Sequence, residues 1–302
     1  MIVILGPTAS GKTSLAVKLA HEFNGEIISA DSRQIYKGMD IGTGKDLDEY
    51  IINNQKINYY LIDIISPETN YSVFQFKQDY AIAYQNIINN NKIPFLCGGT
   101  GLYIESILLD YQIMDAPPNL ELRDKLEQYN TNQLIEYLNN IKTNVFNPSY
   151  HTSKRRLIRS IEILSSNSNI NLAMDMQKNI LNTALVLGIK IDRDKNLQYI
   201  KTRLHDRLSN GMVEEVEQLL DNGLSLSRLQ YFGLEYKFIG QYLENQISYS
   251  DMVTKLNFAI NKFSKRQMTF FRRMEKRKIN INWIDIKQYE IIQNLVSNHL
   301  NS

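Results

Sequence analysis

The residues with the clearest chemical potential lie near the start of the chain and fit the pattern G-x-x-x-x-G-K-[ST] at every fixed position. They are Gly6, Pro7, Thr8, Ala9, Ser10, Gly11, Lys12 and Thr13. The backbone amides of such a loop form a nest for anions, the lysine adds a positive charge for phosphate oxygens, and the final threonine offers a hydroxyl to Mg²⁺. The pattern therefore predicts a polyphosphate ligand, but it names neither that ligand nor the reaction.

The segments on either side of this loop have the periodicity that a phosphate loop requires. Residues 2–5 form a short apolar run typical of a buried parallel strand, and residues 14–23 carry apolar side chains at helical spacing. A strand, a glycine loop and a helix in this order are the expected context of the motif. A glycine turn that merely joins a strand to a helix is the alternative, and this context disfavours it.

Further strands and helices alternate along the first third of the chain. Apolar runs predict strands at residues 26–30, 60–65 and 93–97, and helical periodicity extends over residues 73–90. Strands that alternate with helices at short spacing indicate an α/β fold. We therefore predict a P-loop protein built on a doubly wound parallel sheet.

The pattern changes after residue 114. The periodicity is helical from residue 119 to about residue 165, and the next strand-like runs are residues 183–191 and 283–286. We therefore predict an α/β core formed by residues 1–114 and 183–302, with a mostly helical C-terminal part. Residues 115–182 are predicted to form an inserted all-helical subdomain.

Polar residues follow two of the predicted strands, at the sheet edge where ligands of doubly wound folds bind. The strand at residues 26–30 is followed by Asp31, Ser32, Arg33 and Gln34. A carboxylate in this position could hold Mg²⁺, act as a general base, or simply cap a solvated turn. Position alone leaves these alternatives open for Asp31. After the strand at residues 93–97, Thr100 lies between glycines and can present its amide and hydroxyl to an anion.

Two clusters of basic residues lie far apart in the sequence. Residues 262–278 hold eight Lys or Arg against one Glu and include three phenylalanines, and the second cluster is Lys154, Arg155, Arg156 and Arg159. Basic residues with aromatic neighbours suit a nucleic-acid surface, and the solvated face of an amphipathic helix is an equal alternative. Two clusters, one in each predicted module, favour a large polyanionic partner over a metabolite.

The spacing of the C-terminal cluster divides its arginines between two faces of a helix. Residues seven or four positions apart share a helix face. Arg266 and Arg273 form one such pair, and Arg272 and Lys276 form the other. If this helix binds phosphates, we expect the pair Arg266 and Arg273 to matter more.

Composition excludes several classes of protein. The chain has 302 residues, a net charge of +2, four histidines and one cysteine. A single cysteine excludes an internal disulfide and suits a reducing compartment, and these residues give no zinc pattern. No apolar run approaches the ~20 residues that cross a bilayer, and we predict no signal peptide. We expect a monomeric, cytoplasmic protein without a membrane partner.

Four motifs occur in a fixed order along the chain. The phosphate loop is followed by Asp31-Ser32-Arg33-Gln34-Ile35-Tyr36, by Gly98-Gly99-Thr100-Gly101-Leu102-Tyr103 and by Lys265-Arg266-Gln267-Met268-Thr269. Together they resemble the bacterial tRNA dimethylallyltransferases, also called tRNA isopentenyltransferases. The resemblance covers essentially the whole chain. The motif that begins at Asp31 is its most specific part, because it separates this family from nucleotide kinases.

The resemblance implies transfer of a dimethylallyl group from dimethylallyl diphosphate to the N6 amine of the adenosine 3′-adjacent to a tRNA anticodon. It implies that residues 6–13 bind the diphosphate, with Mg²⁺ at Thr13. It further implies that Asp31 is the general base, that Thr100 lines the channel where the substrates meet, and that Arg203 or, as we favour, Arg207 faces the diphosphate. With the basic stretch included, the predicted tRNA-binding residues are Asp31, Ser32, Arg33, Gln34, Thr100, Arg123, Arg155, Arg156, Arg159, Arg266 and Arg273.

Two other functions compete with this hypothesis. A small-molecule kinase would bind ATP at the same loop, and its reaction would need no RNA. An RNA-binding module without catalysis would leave both the loop and Asp31 without a task, so we disfavour it.

Overall fold

The structure of the chain, a computed structural model, describes residues 1–111, 113–116, 118–141, 153–166 and 183–301. It divides the chain into two units. Unit 1 consists of Met1–Tyr111 and Met176–Ser302, and unit 2 consists of Gln112–Asp175. The predicted insertion at residues 115–182 ends in a stretch, residues 167–182, that lies outside the described residues.

A parallel sheet forms the centre of unit 1, as predicted, and the described residues give it six strands. Its order is β5-β2-β6-β1-β7-β8. The strands are β1 (Ile2–Leu5), β2 (Gly25–Ser29), β5 (Tyr59–Tyr60), β6 (Ile93–Gly98), β7 (Leu185–Ile189) and β8 (Asn282–Ile284), and an antiparallel pair, β3 (Ile51–Ile52) and β4 (Gln55–Lys56), lies apart from it. The phosphate loop therefore follows a strand with neighbours on both sides.

Strand β1 separates two hydrophobic cores because successive side chains of a strand point to opposite faces. Val3 and Leu5 belong to one core, and Ile2 and Ile4 belong to the other. All four side chains are fully buried. This explains why residues 2–5 form a continuous apolar run rather than an alternating one.

The helices of unit 1 cover the two faces of this sheet. They are α1 (Lys12–Glu22), α2 (Val73–Asn89), α3 (Gly101–Leu108), α7 (Arg193–Ser209), α8 (Met212–Asp221), α9 (Leu226–Phe232), α10 (Leu234–Leu243), α11 (Tyr249–Lys276) and α12 (Tyr289–Leu300). A 3₁₀ helix spans Leu47–Tyr50. Within the described ranges, none of the helices is both long and apolar enough to cross a membrane.

The strand predicted at residues 60–65 ends at Tyr60. The prediction is wrong beyond that point because Leu61 and Asp63 adopt left-handed backbone conformations, with φ of +62° and +56°. The Asp63 carboxylate there accepts a hydrogen bond from the buried ammonium of Lys45. A charge pair across the turn therefore overrides the apolar pattern of this segment.

Unit 2 is built from helices α4 (Leu120–Glu127), α5 (Thr131–Asn140) and α6 (Lys154–Ser165). Its core consists of Leu126, Leu134, Leu138, Leu157, Ile158 and Ile161. Helix α5 begins with a capping box, in which Asn130 and Gln133 bond each other's backbone amides. Helical periodicity and capping thus produce the helices expected in this part of the sequence.

Candidate active site

A cavity of about 700 Å³ opens at the carboxyl ends of β1, β2 and β6. It brings together the main predicted site residues of unit 1. Those that line it are Thr8, Ala9, Ser10, Gly11, Lys12, Thr13, Asp31, Ser32, Arg33, Gln34, Thr100, Arg207 and Arg266. Gly6 and Pro7 connect β1 to this wall of the cavity. Gly6 packs closely against β7, because a Cβ on Gly6 would come 3.0 Å from the Cβ of Ile189.

The phosphate loop places the start of helix α1 at the cavity. Gly11 precedes the helix in a left-handed conformation, with φ of +79°, and no side chain caps the first turn. Glycine adopts this conformation without strain, and the first-turn amides of an uncapped helix favour an anion. This local geometry matches the polyphosphate site predicted from the sequence.

Lys12 lies among charged groups at the base of this loop. Burial lowers the pKa of its ammonium and Arg203 lowers it further, whereas the Asp31 carboxylate acts in the opposite direction. A polyphosphate would add negative charge beside the ammonium and so favour its charged form. The Cys97 thiol also lines the cavity, and burial raises its pKa to about 12, so it stays protonated as a packing group.

The motif that begins at Asp31 is joined to Thr100 by hydrogen bonds. The backbone amide of Ser32 donates to the Thr100 hydroxyl oxygen at 3.0 Å, and that hydroxyl lies 3.3 Å from the Ser32 hydroxyl. One oxygen of Asp31 accepts the amide of Arg33 at 2.9 Å. The turn therefore holds Asp31 at the cavity wall, and Ser32 joins this turn to Thr100.

Gln34 uses both ends of its amide inside the protein. Its oxygen accepts the Ser29 hydroxyl at 3.0 Å, and its nitrogen donates to the Gly44 carbonyl at 2.8 Å. These bonds join the end of β2 to residues 40–44, which we call the glycine segment. A contact between Gln34 and RNA stays a prediction.

Two arginines of α7 converge on one carboxylate at the cavity. Arg203 and Arg207 each place a terminal nitrogen 3.1 Å from the same oxygen of Asp46. Gly44 makes room for them, because a Cβ there would lie 1.7 Å from Arg207 Nη2. The Arg207 side chain is 14% exposed and that of Arg203 is 31% exposed, so Arg207 is the more enclosed of the two.

Glu215, on helix α8, orders the glycine segment and was not predicted from the sequence. Its carboxylate accepts three backbone amides, those of Asp40 at 2.8 Å, Ile41 at 2.6 Å and Gly42 at 3.0 Å. It also accepts the hydroxyl of Tyr236 at 2.7 Å. A glutamate within a helix gives no local signal of this role, because the three amides that it binds lie more than 170 positions away in the sequence.

Helix α11 contributes part of the cavity wall, and its two favoured arginines have different surroundings. Arg266 lines the cavity. Arg273 instead donates to the buried Glu105 carboxylate at 2.8 Å and stacks on Phe270, with its guanidinium carbon 4.0 Å from the ring centroid. A phosphate contact by Arg273 stays a prediction. Within the protein, Arg273 pairs with the Glu105 carboxylate of helix α3.

Replacement of Arg273 should therefore change stability. In Arg273→Ala the Glu105 side chain, 1% exposed, loses its ion pair at 2.8 Å and keeps the more distant Arg277, 3.5 Å away, and the Tyr111 hydroxyl. We expect the free energy of unfolding to fall by roughly 1–3 kcal/mol, the cost of a buried polar group that loses its partner. Urea unfolding measures this, with the exposed Arg272→Ala as the matched control. Equal stability of the two variants would contradict a structural role for Arg273.

A scan against protein-family models decides the family. The model described as IPPT: IPP transferase matches residues 34–274. The chain belongs to this family.

Curated relatives match the chain over its whole length. A tRNA dimethylallyltransferase 1 from Azobacteroides pseudotrichonymphae genomovar. CFP2 is 47% identical over 306 residues, which cover 100% of this chain and 95% of the relative. A tRNA dimethylallyltransferase 1 from Syntrophus aciditrophicus (strain SB) is 42% identical over 302 residues, which cover 100% and 99% of the two chains. These matches agree with membership of the IPP transferase family.

Solved structures show the same fold. The tRNA isopentenylpyrophosphate transferase of Bacillus halodurans superposes with a TM-score of 0.70 at 30% identity, covering 99% of this chain and 96% of the other. A eukaryotic dimethylallyltransferase acting on tRNA gives a TM-score of 0.76, covering 99% of this chain and 79% of the other. Its identity of 22% limits that comparison to the fold.

In this member of the IPP transferase family, the predicted arginines of unit 2 fall into two groups. Arg123 forms a two-pronged pair with the buried Glu162, with both distances 2.9 Å, and Arg159 bonds both Glu162 and the Ala116 carbonyl. Burial alone would raise the pKa of Glu162, but the bonds from these arginines and the Asn119 amide lower it below its usual value.

Arg155 and Arg156 are exposed on helix α6. The first group therefore stabilises the helical unit, while the second presents positive charge at its surface. The structure leaves tRNA binding by either group as a prediction.

Proposed function

We propose that this chain transfers a dimethylallyl group from dimethylallyl diphosphate to the N6 amine of the adenosine 3′-adjacent to the anticodon of tRNA. One observation carries the proposal. The phosphate loop and the Asp31–Thr100 pair line the same cavity, so a diphosphate donor and an amine acceptor can meet there. The names of the relatives that match over the whole chain and the family model support this reaction, and a cytoplasmic location belongs to the same proposal.

The phosphate loop binds the leaving group in this proposal. The allylic C–O bond breaks as the new C–N bond forms, and the electron pair of the C–O bond stays with the diphosphate. Amides of residues 9–13, the Lys12 ammonium and the Arg207 guanidinium face this developing charge. Fixed donors aimed at charge that grows in the transition state are an effective source of rate acceleration.

Asp31 accepts the proton that the amine loses. The exocyclic amine of adenine is a poor nucleophile, and a carboxylate within reach of its proton makes the attack easier. The turn held by Ser32 and Thr100 keeps that carboxylate at the cavity wall. The target base must leave the stack of the anticodon loop to enter such a cavity.

Mg²⁺ fits the donor atoms of this site as an ion that arrives with its substrate. Across the described residues, no group of three or more His, Cys, Asp or Glu side chains could hold a metal by itself. The Thr13 hydroxyl lines the cavity and can supply one oxygen, with diphosphate and water oxygens as the others. When bound, the ion neutralises charge on the diphosphate.

A transfer assay tests the proposed function. The protein is incubated with unmodified tRNA, Mg²⁺ and dimethylallyl diphosphate that carries a label in the allyl group. We expect the label to enter the tRNA. Absence of label in tRNA together with ATP consumption in the presence of a small-molecule acceptor would support the kinase alternative, which the relatives do not favour.

The Lys12→Ala variant tests which substrate occupies the phosphate loop. We expect its affinity for dimethylallyl diphosphate to fall roughly ten- to a hundredfold, the worth of a hydrogen bond to a charged group. Affinity for tRNA should stay near the wild-type value. Calorimetric titration of each substrate measures both, and an equal loss of tRNA affinity would show that RNA phosphate occupies the loop.

A further inference from the structure

The side-chain amide of Gln267 joins two loops at the cavity. Its oxygen accepts the backbone amide of Thr8 at 2.8 Å, and its nitrogen donates to the Gly99 carbonyl at 3.0 Å. The residue is 7% exposed, and it lies 259 positions from Thr8 in the sequence. Helix α11 thus links the phosphate loop after β1 to the glycine loop after β6.

The backbone of Thr8 is held at its carbonyl as well. Its carbonyl accepts the side-chain amide of Asn196 at 3.0 Å, and the Asn196 oxygen in turn accepts the Ser264 hydroxyl at 2.7 Å. Asn196 and Ser264 are 6% and 5% exposed. Three buried polar side chains from α7 and α11 therefore fix the first cavity-lining residue of the phosphate loop.

From Gly99, a further series of bonds leads to Asp31. A Cβ at Gly99 would lie 2.4 Å from Gln267 Nε2, so only glycine leaves space for this bond. The next residue, Thr100, accepts the amide of Ser32, which follows Asp31. An unbroken series of hydrogen bonds and peptide bonds thus runs from the phosphate loop to the carboxylate.

We propose that Gln267 is a positioning residue that sets the separation between the phosphate loop and the Asp31–Thr100 side of the cavity. It acts through Thr8 and Gly99 and need not touch a substrate. The proposal rests on the proposed function, in which a carbon next to the diphosphate must lie in line with an amine beside Asp31. An error of about 1 Å in such an alignment lowers rates by roughly a hundredfold.

The main variant is Gln267→Met, which keeps the length of the side chain and removes both hydrogen bonds. We expect the single-turnover rate of transfer to fall roughly ten- to a hundredfold, even at saturating dimethylallyl diphosphate, because the loops lose their alignment. The affinity for inorganic diphosphate should fall as well, since the phosphate loop is no longer held in position. The affinity for tRNA should not change.

Two further variants keep the test independent of folding. We call Gln267, Asn196 and Ser264 the clamp, because together they hold Thr8. Ser264→Ala removes only the bond between Ser264 and Asn196. It should lower the transfer rate and the diphosphate affinity by less than Gln267→Met does. Thr269→Val is the control. It removes an exposed hydroxyl that donates to the Lys265 carbonyl of the same helix at 3.0 Å, and the variant should behave as wild type. Thermal unfolding shows the temperature range in which every variant is folded, and the comparisons are made there.

Three results would overturn the positioning role. They are a wild-type rate in folded Gln267→Met, full recovery of the rate at saturating donor, and a loss of tRNA affinity as large as the loss of rate. If the wild-type protein transfers no label to tRNA, the proposed function fails instead. The clamp is then still tested, because unchanged diphosphate affinity in both Gln267→Met and Ser264→Ala contradicts it.

Discussion

The Asp31→Asn variant should keep both substrates bound and turn over roughly 10²- to 10⁴-fold more slowly, the usual range for a lost general base. Asparagine has almost the shape of aspartate and can still accept the Arg33 amide that Asp31 now accepts at 2.9 Å. The turn should therefore persist while the proton acceptor disappears. Single-turnover transfer to tRNA measures the rate, and equilibrium titration measures the affinities.

Ser32→Ala is a suitable comparison for this variant. It removes a neighbouring hydroxyl but leaves the backbone amide that binds Thr100. We expect its rate to stay far closer to wild type than that of Asp31→Asn. If Asp31→Asn instead retains most of the turnover, the proton must leave by another route and Asp31 is not the base.

The Arg207→Ala variant should lower the rate of transfer by roughly 10²- to 10³-fold, the range for loss of one donor to a developing negative charge. Arg207 is the more enclosed arginine of the pair that meets Asp46. Enclosure strengthens its interaction with a diphosphate because fewer water molecules screen it. Initial rates at saturating donor and tRNA measure the effect.

Arg203→Ala and Arg207→Lys complete this experiment. We expect the loss in Arg203→Ala to be smaller, because Arg203 is twice as exposed. Arg207→Lys keeps the charge but not the planar fork, so it should recover only part of the rate. A larger loss in Arg203→Ala than in Arg207→Ala would reverse the assignment of the two arginines.

Local spacing predicted the parts of the fold that depend on neighbours in sequence. Strand β1, the phosphate loop and helix α1 follow one another within the first 22 residues, so motif and periodicity define them together. The run at residues 60–65 misled the prediction because Asp63 turns toward Lys45, a contact that apolar periodicity does not record. Elements were thus predictable where the forces that form them are local.

The supports of the site were not predictable in the same way. Helical spacing showed that Arg266 and Arg273 share a face, but it could not show that Glu105, 168 positions away, pairs with Arg273. Gln267 belonged to a recognised motif, yet its two partners lie in loops 259 and 168 positions away in the sequence. The types of the site residues indicated the chemistry of the site. Their hydrogen-bond and ion-pair partners could not be predicted, because those partners depend on the complete tertiary fold.

The bridge from Gln267 to Thr8 also fixes when the cavity can form during synthesis. Domains generally fold as units, and their N-terminal segments leave the ribosome first. The phosphate loop and Asp31 emerge early, but a wall of the cavity comes from residues as late as Phe270. A nascent chain interrupted before α11 would carry an intact phosphate-loop motif without the clamp that holds its first amide. Competence of this site is therefore one of the last properties that the growing polypeptide acquires.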